Sequence, residues 1–208
     1  KNVFDVYEME ESRLGKYKNE LLSEKTLNEH QEKAYLEIKE SYKTKDVTLL
    51  HGVTGSGKTE IYIKLIQETL AEGKQVLYLL PEIALTTQLI VRLKKVFGDS
   101  IGVYHSKFNE NERVEVWNEV LKSERTLGEK PRFQIIMGAR SALFLPYNNL
   151  GLIIIDEEHE NTFKQYDPSP RYHARDSAIV LAKIHNAKVL LGSATPSVES
   201  YYNAHDDK

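Results

Sequence analysis

The sequence predicts an α/β fold with a mostly parallel sheet and helices on both faces. Three observations carry that expectation. Six short apolar runs recur along the chain: Val47–Leu50, Gln75–Leu80, Ile101–Tyr104, Phe133–Met137, Leu152–Ile155 and Val189–Leu191. Most are unbroken rather than alternating, as strands buried on both faces must be. Stretches with helical apolar spacing, Glu60–Glu72 and Leu85–Phe97 among them, separate several of the runs, which is the alternation of a parallel α/β arrangement. A glycine-rich turn joins the first run to the first of those helices.

Composition bounds the classes that remain. A chain of 208 residues is long enough for one substantial core with a tail. It opens on Lys1 rather than Met and is expected to be a piece of a longer protein. Cysteine is absent, which excludes disulfides and cysteine-ligated metal and fits a reducing, cytoplasmic setting. No apolar run approaches the ~20 residues of a membrane span, and no signal-peptide pattern opens the chain. Lys and Arg number 28 against 31 Asp and Glu. That near-balance speaks against a broad nucleic-acid-binding face, so any such contact is a local patch.

The elements follow in order. Residues 1–22 mix charges with scattered apolar side chains and read as a linker or arm; residues 23–208 form the domain. Thr26-Leu27-Asn28-Glu29 has capping-box spacing and starts an amphipathic helix. After the strand at Val47–Leu50 comes Gly52-Val53-Thr54-Gly55-Ser56-Gly57-Lys58-Thr59, a complete G-x-x-x-x-G-K-[ST] motif. Its glycines permit a tight turn in which successive N–H groups converge on an anion. Lys58 brings a mobile positive charge for the outer phosphates, and the Thr59 hydroxyl is placed to ligate Mg²⁺. The helix opening at about Thr59 aims its positive dipole end at the same phosphates. The chain is therefore expected to bind a nucleoside triphosphate.

Farther along, Trp117 shares helical spacing with Val114, Val120 and Leu121 and is assigned to core packing. The acidic run Glu110–Glu115 reads as a solvated face, and the polar stretch Lys122–Lys130 as a surface loop. The run ending at Ile155 delivers Asp156-Glu157-Glu158-His159 to the C-terminal edge of the sheet, where ligands bind in open α/β folds. Asp156 can hold the Mg²⁺ that Thr59 serves. Glu157 is then placed to orient and deprotonate the water that attacks the γ-phosphate. The seven histidines include no H-x-x-x-H pair, so no metal beyond Mg²⁺ is expected. Tyr201 and Tyr202 are expected to pack near the domain's end.

Asp156-Glu157-Glu158-His159 resembles the D-E-x-H box of superfamily 2 helicases, and that resemblance implies a RecA-like motor lobe. Gln31 stands just upstream of the phosphate loop, like the glutamine that reads adenine in such helicases; a solvated glutamine on a helix is the other reading. Leu79 to Gln88, with Pro81, Glu82, Thr86 and Gln88, resembles motif Ia. Met137 to Phe144, with Gly138, Arg140 and Ser141, resembles the next DNA-facing motif, although Ala139 stands where Thr is more usual. Gly192-Ser193-Ala194-Thr195-Pro196 resembles the S-A-T motif that links hydrolysis to strand movement, a coupling role shared with Glu158 and His159.

Pro81–Leu85, Tyr104-His105-Ser106, Arg140–Phe144 and Arg171–Asp176 narrow the likeness to bacterial replication-restart helicases. That resemblance implies a 3′-to-5′ DNA helicase that acts at abandoned forks, with ATP and Mg²⁺ as cofactors. It implies primosome proteins, single-strand-binding protein and single-stranded or forked DNA as partners, and no membrane. Only the first motor lobe has a counterpart in this sequence; the family's zinc sites lie in a lobe that does not. Glu160 to Arg175 alternates aromatic with basic residues, including Phe163, Lys164, Tyr166, Arg171, Tyr172 and Arg175. Such rings can stack on bases and such cations can meet phosphates. By family likeness the loop couples single-strand binding to hydrolysis; because it leaves the catalytic strand only a few residues after Glu157, Phe163, Tyr166 and Arg171 are expected to report DNA occupancy to Glu157 and His159. Rings that pack on their own domain, with Tyr172 and Arg175 anchoring the next helix, are the alternative.

Rival classes leave signatures that this chain lacks. A P-loop kinase brings an arginine-bearing lid, and a GTPase an N-K-x-D sequence; neither is present. A catalytically silent DNA reader is expected to lose Lys58 or Glu157, and both are here.

Overall fold

The computed structural model describes residues 26–82, 87–104, 110–122 and 131–205. The expected arm at 1–22, Thr86, His105, Ser106 and nearly all of the expected loop at 122–130 lie outside the described residues. A single six-stranded parallel sheet runs in the order β1-β6-β5-β2-β4-β3. Its strands are β1 (Val47–His51), β2 (Gln75–Leu79), β3 (Ile101–Tyr104), β4 (Ile135–Gly138), β5 (Leu150–Asp156) and β6 (Lys188–Ser193). Each coincides, to within a few residues, with an apolar run of the sequence.

Helices α1 (Glu29–Ser41), α2 (Lys58–Ala71) and α3 (Thr87–Phe97) cover one face, and α4 (Glu110–Leu121) and α5 (Ala174–His185) the other. Strand β5 shows why its sequence is continuously apolar. Leu152 and Ile154 point into the core beneath α1 to α3, whereas Ile153 and Ile155 point into the core beneath α4 and α5. A strand flanked on both faces has no polar side to encode. The last helix, α6 (Val198–His205), follows β6 and packs near β1, at the edge of the sheet.

Three local expectations are corrected. The cap of α1 is Asn28, not Thr26: its side chain accepts from Gln31 N at 2.9 Å, and the Gln31 amide oxygen accepts from Asn28 N at 3.0 Å. The helix begins at Glu29, so the cap falls to Asn28, whose side-chain oxygen satisfies an orphan N–H of the first turn. In α4 the buried positions are Val116 and Val120, while Val114, Trp117 and Leu121 are exposed. Spacing alone could not say which of two apolar stripes meets the sheet. Tyr201 and Tyr202 are also half exposed, with Tyr201 set edge-on to His51. No helix among the described residues is long and apolar enough to cross a membrane.

Candidate functional site

The ends of β1, β5 and β6 converge on one edge of the sheet, and every element of the site hangs from them. Pairing of β1 with β6 continues past the strand: Gly52 N donates to Ser193 O at 3.0 Å, and His51 Nε2 lies 3.2 Å from Ala194 O. The phosphate loop and the S-A-T sequence, about 140 positions apart in the chain, are thereby stitched together. The loop then passes through Gly55 and Gly57, with φ of 80° and 85°, and enters α2 at Lys58. These left-handed values are open to glycine at no steric cost. Gly57 also lies under the Gln31 amide, where a Cβ would come within 2.1 Å of Nε2.

Gln31 is held rather than solvated. Its amide nitrogen donates to Ser56 O at 3.2 Å while its oxygen closes the helix cap. The Lys58 ammonium donates to Gly52 O at 2.7 Å. Val53, Thr54, Gly55 and Ser56 are exposed, and Gly52, Gly57, Lys58 and Thr59 half-buried, so the loop lies open at the surface.

Asp156, at the end of β5, accepts three hydrogen bonds. Tyr62 Oη donates to Oδ1 at 3.0 Å, Tyr78 Oη to Oδ2 at 3.2 Å, and Glu157 N to Oδ1 at 3.2 Å. Burial pushes its pKa up; the two phenols, the Lys58 charge and the Glu157 amide pull against that shift. Tyr62 stands one turn after Thr59 on α2, so its hydroxyl ties the phosphate-loop helix to the acidic box. Sequence reasoning missed both tyrosines. The signal was present in β2, where a Tyr interrupts Val, Leu and Leu, but a buried Tyr alone does not reveal its partner. Gly192 completes the arrangement, since a Cβ there would lie 1.8 Å from Tyr62 Oη.

The next three residues diverge in role. Glu157 has a φ of 52°, a left-handed conformation that costs a non-glycine residue ~1–3 kcal/mol and persists only when its surroundings over-determine it. Its carboxylate lies 3.7 Å from His159 Nδ1. His159 reaches the S-A-T sequence through both ring nitrogens, with Nδ1 2.8 Å from Ser193 Oγ and Nε2 3.3 Å from Thr195 Oγ1. Thr195 N also donates to Ser193 Oγ at 3.0 Å. Ala194 shares the segment and is half-buried. Glu158 turns inward, and its side chain is wholly buried.

The DNA-facing expectations divide. Lys164, Tyr166 and Arg171 are exposed on the segment after β5, with the Lys164 ammonium 4.8 Å from the centre of the Tyr166 ring. Phe163 is corrected: it is 1 % exposed and belongs to the core beneath α5, so its ring presents no face to a base. Arg175 is corrected too. Its guanidinium is turned inward onto Glu158 at 3.0 Å and is 11 % exposed. Tyr172 packs against the same core and meets the Phe144 ring edge-on at 5.1 Å. Arg140 Nη1 donates to Thr162 O at 3.0 Å, so two segments expected to face DNA separately form one surface. Gly138 is corrected as well: it is buried at the end of β4, where a Cβ would come within 2.7 Å of Tyr104 O and Ala142 Cβ, so it presents nothing to DNA. Ser141 is half-buried beside Arg140; Pro81 is buried at the end of β2; Glu82 and Gln88 are exposed.

The donor set fits a nucleoside triphosphate with Mg²⁺. A glycine-rich loop at a helix N-terminus, with the Lys58 ammonium beside it, suits phosphate, and the Thr59 hydroxyl and Asp156 carboxylate are the hard oxygen ligands that Mg²⁺ prefers. Comparison with known proteins agrees with that chemistry. The family model described as DEAD/DEAH box helicase matches residues 28–204. The chain is 46% identical over 180 residues to the replication restart protein PriA of Bacillus subtilis, and 48% identical over 183 residues to that of Haemophilus influenzae. These alignments cover 86% and 88% of the chain but 21% and 24% of the relatives, so it spans about a quarter of their length. Among solved structures, RecG bound to a three-way DNA junction matches with a TM-score of 0.59 at 21% identity, over 86% of this chain and 22% of that one. The Hef helicase domain of Pyrococcus furiosus matches with a TM-score of 0.56 at 18% identity, over 86% of this chain and 35% of that one. At such identities the structural likeness establishes the RecA-like fold.

Proposed function

Because this chain belongs to the DEAD/DEAH box helicase family, we propose that it is the ATP-binding first motor lobe of a replication-restart DNA helicase. The observation that carries the reading is the joining of the phosphate-loop helix to the acidic box through Tyr62 and Asp156, beside a Glu157 held in a strained backbone. The backbone of residues 52–57 and Lys58 bind the phosphates of ATP, and Gln31 recognises adenine through its amide. Thr59 and Asp156 hold Mg²⁺, which when bound neutralises charge on the phosphates. Glu157 accepts the proton of the attacking water. His159, with Glu158, Ser193, Ala194 and Thr195, relates the hydrolytic residues to the segment that leads out of the lobe.

Likeness to PriA extends the proposal to the whole protein: 3′-to-5′ translocation, recognition of stalled forks, and assembly of primosome proteins and single-strand-binding protein in the cytoplasm. Zinc is proposed only for a part of the whole protein outside this chain. The DNA surface proposed on this lobe consists of Lys164, Tyr166 and Arg171, with Tyr172 and Arg140 in support, together with Glu82, Gln88 and Ser141, and with Thr86 by family likeness alone; Pro81 and Gly138 are buried and take no part in it.

The experiment is ATP hydrolysis by the full-length protein, with and without forked or single-stranded DNA. Hydrolysis is expected to be DNA-stimulated and abolished by both Lys58→Ala and Glu157→Gln. Lys58→Ala weakens nucleotide binding, because it removes a charge from the phosphate cradle. Glu157→Gln leaves binding intact, because it removes only the base. Normal turnover by Glu157→Gln would defeat the assignment of the base.

A further inference from the structure

We propose that Glu158 and Arg175 are positioning residues: a buried lock that fixes the turn carrying Glu157 against the start of α6. The inference rests on the reading of Glu157 as the base. A carboxylate buried this completely is costly unless fully paired, and Glu158 is fully paired. It accepts from Ser197 N at 2.7 Å and from Arg175 Nη1 at 3.0 Å, with the hydroxyls of Ser200 and Ser197 at 2.8 and 3.1 Å. Arg175 Nη1 lies also 2.6 Å from Ser197 Oγ and 3.4 Å from Ser200 Oγ, and Nε donates to Asp176 at 3.0 Å.

The lock joins three separate segments. Glu158 immediately follows the strained Glu157, and Glu158 N donates to Gly192 O at 3.1 Å. Arg175 stands in the first turn of α5, directly after the exposed aromatic segment. Ser197 and Ser200 open α6, just past the S-A-T sequence, where Ser197 Oγ also accepts from Ser200 N at 3.2 Å. The backbone of residues 157–158 is held locally by Glu157 N on Asp156 Oδ1, by Glu160 N on Glu157 O at 2.9 Å and by Glu158 N on Gly192 O, and the lock ties the same turn through a side chain to α5 and α6. Loosening the lock frees the left-handed turn to relax toward an ordinary conformation, which moves the Glu157 carboxylate. Displacement of a reacting group by about 1 Å can cost ~100-fold in rate. A shift at the aromatic segment or at α6 reaches Glu157 by this short path.

The test uses the full-length protein with Arg175→Lys, Arg175→Ala, Glu158→Gln and the milder Ser200→Ala. Four quantities are read at a temperature where each variant is folded: kcat for ATP at saturating single-stranded DNA, KM for ATP, Kd for a fluorescent single strand, and the melting temperature. Arg175→Ala and Glu158→Gln should lower kcat ~10–100-fold, with KM and Kd within about 3-fold of the parent. Ser200→Ala should fall between these and the parent, and Arg175→Lys, which keeps a cation and one donor, should recover part of the loss. A folded Ser200→Ala and Arg175→Lys with unchanged kcat would overturn the proposal. So would a loss matched by a rise in Kd, which would mean that Arg175 touches the strand, or matched by a rise in KM. Glu157→Gln measured alongside separates the two ideas: normal turnover there defeats the base assignment, whatever Arg175 does.

Discussion

Asp156 is held by side chains from two other elements. Two phenols from different elements meet its two oxygens, while burial works against its charge. Removing the Tyr78 hydroxyl in Tyr78→Phe withdraws one donor from the ionised form. The Mg²⁺ concentration for half-maximal hydrolysis should then rise by about tenfold, the usual scale for losing a residue that orients a metal ligand. An unchanged Mg²⁺ dependence would reduce the phenols to packing. Gly192→Ala drives a methyl group onto Tyr62 Oη and should cost about 1–3 kcal/mol in denaturant unfolding. Glu158 makes a prediction in pH. Although burial works to raise its pKa, the Ser197 amide, the Ser200 hydroxyl and Arg175 outweigh it and hold the value below the ordinary 4.5. The stability it contributes is therefore fully present above pH 4.5 and is lost as pH falls through the lower folded value. Asp156, shifted upward, acts with the opposite sign in the acid range. The comparison must then be between Glu158→Gln and the parent, and the variant should lose less stability than the parent as pH is lowered below 4.5.

At the scale of elements, the segment between β5 and α5 is built in two parts with different duties. Phe163 caps the core beneath α5, while Tyr166, Lys164 and Arg171 stand outside it. The outer part is organised locally. Gln165 N donates to Tyr172 O at 2.9 Å, and its side chain bridges Pro168 O and Pro170 O at 2.9 and 3.0 Å. Tyr166→Ala should leave the melting temperature nearly unchanged yet reduce DNA-stimulated unwinding in the full-length protein. Phe163→Ala should cost about 3–5 kcal/mol of stability, as for other large buried aromatics, whatever it does to unwinding. Equal stability losses in the two variants would contradict the division. The aromatic pattern in the sequence was legible as a cluster, but a ring that stacks on DNA and a ring that fills a core carry the same letter. Burial alone tells them apart.

As a whole molecule, the lobe leaves its chemistry at an open edge. The phosphate loop, Glu157 and Thr195 all face outward from the C-terminal ends of β1, β5 and β6. In superfamily 2 motors such an edge is closed by a second lobe that contributes an arginine to the γ-phosphate. Arginines of that kind are worth ~10³–10⁵ in rate in related phosphoryl transfers. Residues 1–208 alone should therefore bind ATP weakly and turn it over slower than the full-length protein by a comparable factor. Robust DNA-stimulated hydrolysis by the lobe alone would show that it needs no partner lobe.

The six strands were readable because each strand is buried on both faces, so burial writes an unbroken apolar run. The phosphate loop and the acidic box were readable because their chemistry depends on residues adjacent in the chain. Most of what the tertiary structure decided concerns pairs far apart in sequence. Tyr62 and Tyr78 find Asp156 across 94 and 78 positions, and Glu158 finds Ser200 across 42. The direction of α4, with Trp117 outward, and the inward turn of Phe163 and Arg175 belong to the same class. Local sequence specifies which groups are available and the turns that display them. Which of them meet is fixed only when the sheet brings its strand ends together, because a hydrogen bond between distant residues leaves no periodicity in either segment.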